Sequence, residues 1–272
     1  MNNKILAFGG VAGSGKNTMC NFLHGYILKS YGVIDGFEIT DDGKLIVQTQ
    51  IIDGSGEYNT GRGFIDVTRT DIDFAIWASG NMWPFVKHYA FATPLKEIAV
   101  ELFGLPREKV FGSGRDKIAF SSYKWEKMPT KVDGKSNAMT IRDFLQYLGT
   151  DIFRKIREDV WVNRTILDIK AEQSMNAVIS DVRFLNESKA VQDAGGRVIF
   201  LTGGTKGDNH SSETSLTPEM CDATIDTEKQ TIQESCEALL EILNEWGWLE
   251  KEIVFETPAV PKRAPATTSI RG

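Results

Sequence analysis

The chain has 272 residues, 41% of them hydrophobic and 25% charged, with a formal net charge of −6 and a pI near 5.3. That length suits one substantial α/β core with insertions rather than two full domains. The acidic balance argues against a surface built to track nucleic-acid phosphates and favours small anions held in a local basic pocket. Three scattered cysteines, Cys20, Cys221 and Cys236, form neither a disulfide framework nor a Cys-x-x-Cys metal signature, and suit a reducing compartment. No apolar run reaches the length of a membrane span, and the start leads into a strand rather than a signal-peptide core, so a soluble, cytoplasmic protein without a membrane partner is expected.

In chain order, the apolar run Ile5 to Phe8 predicts a strand, the glycines after it a loop, and Asn17 to Leu28 a helix with apolar residues at helical spacing. From residue 32 to 80 the texture is alternating and glycine-rich, and "FEITDDGKLIVQTQIID" reads as two strands joined at Asp41-Asp42-Gly43, predicting a β-rich insertion. "TPLKEIAVELFG" is helical, with Thr93 as cap, Pro94 at the first position and Gly104 as stop. Residues 112–137 are polar and irregular, the composition of a long mobile loop. A second helix follows at "TIRDFLQYLGTD", capped by Thr140 and ended at Gly149 and Thr150. "AVIS" and "RVIFLTG" are strands bracketing a helical segment, the rhythm of a parallel sheet. Thr227 and Gln230 fit a capping box for a last helix running to about Trp246. One unit over 1–250 and a proline-rich, disordered tail over 251–272 complete the reading.

The stretch "FGGVAGSGKNT" carries the chemistry. Gly10 through Lys16 satisfies G-x-x-x-x-G-K between a predicted strand and a predicted helix, the context of a phosphate-binding P-loop. Glycines let successive backbone N–H groups turn inward, the helix start adds partial positive charge, and Lys16 reaches the outer phosphates of ATP. Ala12, Gly13, Ser14, Gly15, Lys16, Asn17 and Thr18 are therefore the expected donor-binding residues. A dinucleotide-binding turn is the rival, since Gly13-Ser14-Gly15 begins like G-x-G-x-x-G, but Thr18 stands where the third glycine belongs. Asn17 replaces the hydroxyl residue that usually follows the lysine, so Mg²⁺ is expected on water, ATP oxygens and Thr18.

Together with "FATPLKEIA", "RDFLQYLGTD", "DVWV", "ISDVRFLNE" and "HSSE", that stretch resembles the bacteriophage-type deoxynucleoside monophosphate kinases of the P-loop nucleoside monophosphate kinase group. The resemblance covers most of residues 1–30 and 90–245, and neither the 32–80 segment nor the tail. It implies a P-loop NTPase fold, with a mainly parallel sheet flanked by helices, and transfer of a phosphoryl group from ATP to a deoxynucleoside monophosphate. A small nucleotide is then the partner, a homodimer is one arrangement open to it, and the cytoplasm of an infected bacterial host is the setting.

The resemblance also implies an acceptor site made of Leu95, Lys96, Arg142, Gly149, Thr150, Trp161, Asp181, Arg183 and Glu187, with Lys16, Arg142, Asp181 and Arg183 catalytic. Each has a second reading from the residues alone. Asp181 closes an apolar strand at the ligand edge of a parallel sheet, where it either orients the acceptor or caps a turn. Arg183 suits a phosphate or base edge through paired hydrogen bonds, or is a surface arginine. Glu187 contacts the nucleotide or lies on a solvated helix face, and Lys96 adds charge to a helix start or snorkels. Trp161 stacks on a base or fills the core. Arg154 and Arg157 are candidates to close over the transferring group, while Asp151 and His210 read more simply as cap and turn residues. A nucleoside monophosphate already presents an anionic oxygen, so positioning and charge neutralisation suffice without a general base. The rival activities are another small-molecule P-loop kinase, such as one acting on dephospho-coenzyme A, and a nucleotide-gated ATPase or binding protein.

Overall fold

A computed structural model describes residues 3–52, 58–130, 134–204 and 216–249. The predicted tail and the His210 motif lie outside the described residues.

Strand β1 (Lys4–Gly9) leads through the glycine loop into helix α1 (Lys16–Ser30). An antiparallel sheet follows, built from β2 (Gly36–Ile39), β3 (Leu45–Ile52) and β4 (Tyr58–Ile65). The turn between β2 and β3 falls at the expected Asp41-Asp42-Gly43, whereas β4 and the next helix, α2 (Ile72–Asn81), go beyond the two strands read from the sequence. Next come β5 (Val86–Tyr89), α3 (Ala92–Glu101) and the short α4 (Arg107–Val110). Residues 112–137 hold more regular structure than their composition suggests: a 3₁₀ turn at Asp116–Ile118 and strand β6 (Phe120–Lys124), which pairs with β7 (Ala138–Thr140).

Helix α5 (Ile141–Gln146) runs into a seven-residue π-helical segment, Tyr147–Phe153, then α6 (Arg154–Ile156) and α7 (Val160–Glu172). Gly149 and Thr150 therefore continue the helix in wider form instead of ending it. The chain finishes with β8 (Asn176–Val182), α8 (Leu185–Asp193), β9 (Arg197–Leu201), β10 (Ala223–Ile225) and α9 (Ile232–Glu245).

Five strands form one sheet in the order β10-β9-β1-β8-β5, every neighbouring pair parallel. This is the α/β architecture the sequence predicts. A parallel sheet is covered on both faces, so its strands read as continuous apolar runs. Alternation still decides which side chain goes where. Leu6, Phe8, Val178 and Ile199 pack with Met19, Leu23 and Leu239 of α1 and α9, while Ile5, Ala7, Ala177, Ile179 and Val198 pack with Trp161, Val162, Ile166 and Val191 of α7 and α8. A third cluster, including Ala99, Val110, Trp125, Met139, Phe144 and Leu148, sits under α3 and α5.

Tertiary partners alter two of the expected caps. The start of α3 is capped across the chain: Asp181 Oδ1 accepts from Phe91 N (2.8 Å) and Oδ2 from Ala92 N (3.0 Å), in place of a local Thr93 cap. The capping box of α9 is Thr231 with Glu234, one turn after the expected Thr227 and Gln230. Thr140 caps α5 as read, in a reciprocal box with Asp143.

Candidate nucleotide site

The central position of β1 places the glycine loop between the carboxyl ends of β8 and β9, at the switch point where open α/β sheets bind ligands. Gly10, Gly13 and Gly15 all take positive φ, at 134°, 78° and 92°. At Gly10 a side chain would also meet Leu201 O at 2.5 Å and Ser14 Oγ at 2.8 Å, so this turn needs a bare α-carbon. The loop is braced from behind by Thr227, whose Oγ1 donates to Ser14 O (2.9 Å) and accepts from Gly203 N (2.9 Å). That is why Thr227 is not a helix cap.

No side chain caps α1, and its first turn holds no acidic residue. The N–H groups at such a helix start carry partial positive charge and suit an anion. Lys16 adds its ammonium within the loop, donating to Gly10 O (2.8 Å), Val11 O (2.6 Å) and Ser14 Oγ (3.3 Å). Ala12, Gly13 and Asn17 are exposed at the mouth, and Ser14 is buried. Thr18 points its hydroxyl toward the β2–β3 turn, where a side chain at Gly43 would come within 2.3 Å of Oγ1, and Asn21 Nδ2 donates to Gly43 O (2.8 Å). The antiparallel sheet thus reaches the first turn of the loop helix.

The second half of the site is a convergence of cations from separate elements. Lys96 projects from α3, its ammonium 5.2 Å from the Phe111 ring centre. Arg142 opens α5 and Arg183 follows β8. The fourth is Lys117, on the Asp116–Ile118 turn. Burial first, then the charges of Lys96, Arg142 and Arg183, push its ammonium down to about 8. Burial likewise lowers Lys96, with Asp181 and Arg183 acting on it in opposite directions. Sequence reading missed Lys117, because "GSGRDK" carries no motif.

The two halves share one electrostatic neighbourhood. Burial raises the Cys20 thiol, Asp181 raises it further and Lys16 opposes, so the loop lysine and the sheet-edge aspartate both act on one side chain of α1. Asp181 acts on Lys96 in turn. Beneath them lie two neutral imidazoles. His24 Nδ1–H donates to Cys20 O (2.7 Å), and His88 Nε2 shares a 2.6 Å hydrogen bond with Ser180 Oγ. Burial lowers His24 to about 4, against the Cys20 carbonyl, and burial, His24 and Lys96 lower His88 to about 3. An apolar crevice lined by Leu6, Leu23, Tyr26, Tyr31 and Trp248 opens at the opposite, amino-terminal edge of the sheet, away from this charge.

Several expected site residues take supporting positions. Trp161 is 5% exposed and donates its indole N–H to Gly149 O (3.2 Å), so it props the π-helical segment from inside and offers no face to a base. Gly149 leaves room for Leu95, whose Cδ2 would lie 2.6 Å from a side chain placed there, and Thr150 follows it half-buried. Glu187 is 3% exposed, so it does not lie on a solvated helix face. Its carboxylate faces inward, accepting from Arg183 N (2.8 Å) and Phe184 N (3.2 Å) and pairing with Arg154 at 2.5 Å. Both oxygens of Asp181 are committed to the start of α3, which favours its capping role over general acid–base chemistry. Arg154 lies over the Phe184 ring (4.1 Å), and Arg157 pairs with Asp159 on the surface.

Comparison with known proteins bears on what this arrangement does. Residues 95–237, which hold Lys96, Lys117, Arg142 and Arg183, match the deoxynucleotide monophosphate kinase family. The chain belongs to that family. A protein of Acanthamoeba polyphaga mimivirus named "Putative deoxynucleotide monophosphate kinase" is 30% identical over 141 residues, covering 47% of this chain and 67% of the relative. The protein is thus a nucleotide kinase, a phosphotransferase acting on deoxynucleoside monophosphates. Among the described residues no helix is long and apolar enough to cross a membrane.

Proposed function

We propose that the kinase moves the γ-phosphoryl group of ATP to a deoxynucleoside 5′-monophosphate, with the triphosphate on the glycine loop and the acceptor phosphate on Lys96, Arg142 and Arg183. The observation that supports this reading is the shared neighbourhood of Lys16, Asp181 and Lys96 at the carboxyl edge of the sheet. Two phosphates brought there meet end to end, and the acceptor's own anionic oxygen is the nucleophile. Lys16 and the loop N–H groups take up charge on the donor, while the arginines hold the acceptor in line. Asp181 fixes the start of α3 and thereby the base of Lys96. Glu187 fixes the backbone of Arg183 and the side chain of Arg154. Leu95, Gly149, Thr150 and Trp161 shape the wall behind the acceptor.

A divalent ion fits this site in one way only. Among the described residues no group of three or more His, Cys, Asp or Glu side chains could cage a metal. Asn17 and Thr18 supply neutral side-chain oxygens in the first turn of α1, so Mg²⁺ would depend chiefly on phosphate oxygens and water, which is its habit in kinases. When bound it would neutralise charge on the transferring group.

A coupled assay of ADP release against a panel of deoxynucleoside and ribonucleoside monophosphates and dephospho-coenzyme A tests this. Turnover of ATP with at least one deoxynucleoside monophosphate is expected. Turnover with dephospho-coenzyme A alone, or ATP hydrolysis indifferent to every acceptor, overturns it.

A further inference from the structure

Four cations gather beside the proposed acceptor edge. Lys96, Arg142 and Arg183 come from α3, from α5 and from the end of β8, and Lys117 from the 3₁₀ turn after α4. The carboxylates that act on Lys96 and Lys117 also hold other groups. Asp181 holds the N–H groups of Phe91 and Ala92, and Glu97 is paired with Arg107. Asp116, the acidic neighbour of Lys117, accepts from Ser113 N (2.9 Å) and Ser113 Oγ (2.7 Å) and pairs with Lys109 at 3.4 Å. Among the described residues neither Lys117 nor Arg142 makes a salt bridge.

A solvated surface lysine would turn its ammonium to water. Lys117 is half-buried instead, on a turn tied to the cluster: a side chain at Gly114 would begin 3.5 Å from Arg142 Nη2. Like charges held together at partial burial repel, and such an arrangement is compensated when a polyanion enters.

We propose that Lys117 is a positioning residue for the acceptor, a fourth cation that must be protonated to hold the monophosphate dianion. This rests on the acceptor site proposed above. The groups that set its charge are Lys96, Arg142 and Arg183 facing it from three elements and Asp116 on its own turn. Since its ammonium loses a proton near pH 8, the cation is present at neutral pH and fades above it. The acceptor phosphate, with a second pKa of about 6, is a dianion throughout that range. Binding therefore weakens on the alkaline side because the protein, not the substrate phosphate, changes charge.

The test is steady-state kinetics from about pH 7 to about pH 9 on wild type, Lys117→Met and Lys117→Arg, using the deoxynucleoside monophosphate that wild type phosphorylates best. Wild type is expected to show acceptor KM rising above about pH 8 while the KM for ATP stays flat. Lys117→Met should raise acceptor KM about tenfold or more at neutral pH and remove the alkaline rise. Lys117→Arg, charged at every pH used, should restore a low KM without the rise. That variant also controls for ionisation of the base, which would persist in it. An acceptor KM in Lys117→Met within about twofold of wild type, or an alkaline rise retained in Lys117→Arg, overturns the proposal. Either result with wild type active leaves the acceptor site standing, whereas wild type inactive on every deoxynucleoside monophosphate removes the site itself.

Discussion

The two halves of the site are made of different material. The proposed donor half is backbone: the six-residue loop 10–15, a helix start without a side-chain cap, and one lysine folded onto the loop's own carbonyls. The proposed acceptor half is side chain: cations delivered from residues 96, 117 and 142 on three elements and from residue 183 just after β8. Backbone N–H groups locked by neighbours such as Thr227 hold their geometry whether or not a ligand is present. Long cationic side chains do not, and they need braces. Asp181, holding the start of α3, and Glu187, holding the backbone of Arg183, supply such braces.

This contrast can be broken by experiment. The largest effect is expected at Lys16. Lys16→Ala should lower kcat by about 10³-fold, because its ammonium acts on charge in the transition state, while acceptor KM changes little. A parallel collapse of acceptor binding would show that the halves are not separate. Next is Glu187→Ala. It strips a buried carboxylate from Arg154 and from two backbone N–H groups, and unfolding by denaturant should show a loss of about 3 kcal/mol or more. A change under about 0.5 kcal/mol would mean that the pair braces nothing.

The smallest effect is in pH dependence. His24 and His88 have folded values of about 4 and about 3, below the usual 6.5 of an unfolded histidine. The unfolded chain therefore binds more protons below that value, and stability should fall as pH drops from about 6.5 toward 4. His24 accounts for about 1–2 kcal/mol of this at pH 5. His24→Gln should flatten the slope, and an unchanged slope would place the titration elsewhere.

The same contrast explains what could be read from the sequence. The donor loop is contiguous, so its strand, glycines, lysine and helix appear in order in one short stretch. The sheet strands were legible from their apolar runs, and Thr140 from its box with Asp143. Thr227 misled because two adjacent boxes, Thr227 with Gln230 and Thr231 with Glu234, fit the same pattern, and only the folded chain shows Thr227 occupied by Ser14 and Gly203. Lys117 was silent because a like-charge cluster spread over nearly ninety residues exists only after the sheet has formed. Trp161 and Glu187 have residue types that suit a site, but their burial is set by packing that the sequence does not display.

Calorimetric titration of a non-hydrolysable ATP analogue and, separately, of a deoxynucleoside monophosphate into wild type, Arg142→Ala and Arg183→Ala tests the division most directly. Both arginine variants should lose about tenfold or more in affinity for the monophosphate and keep that for the ATP analogue within about twofold. Equal weakening of both ligands, or monophosphate affinity unchanged in both variants, would contradict a donor half of backbone set against an acceptor half of cations.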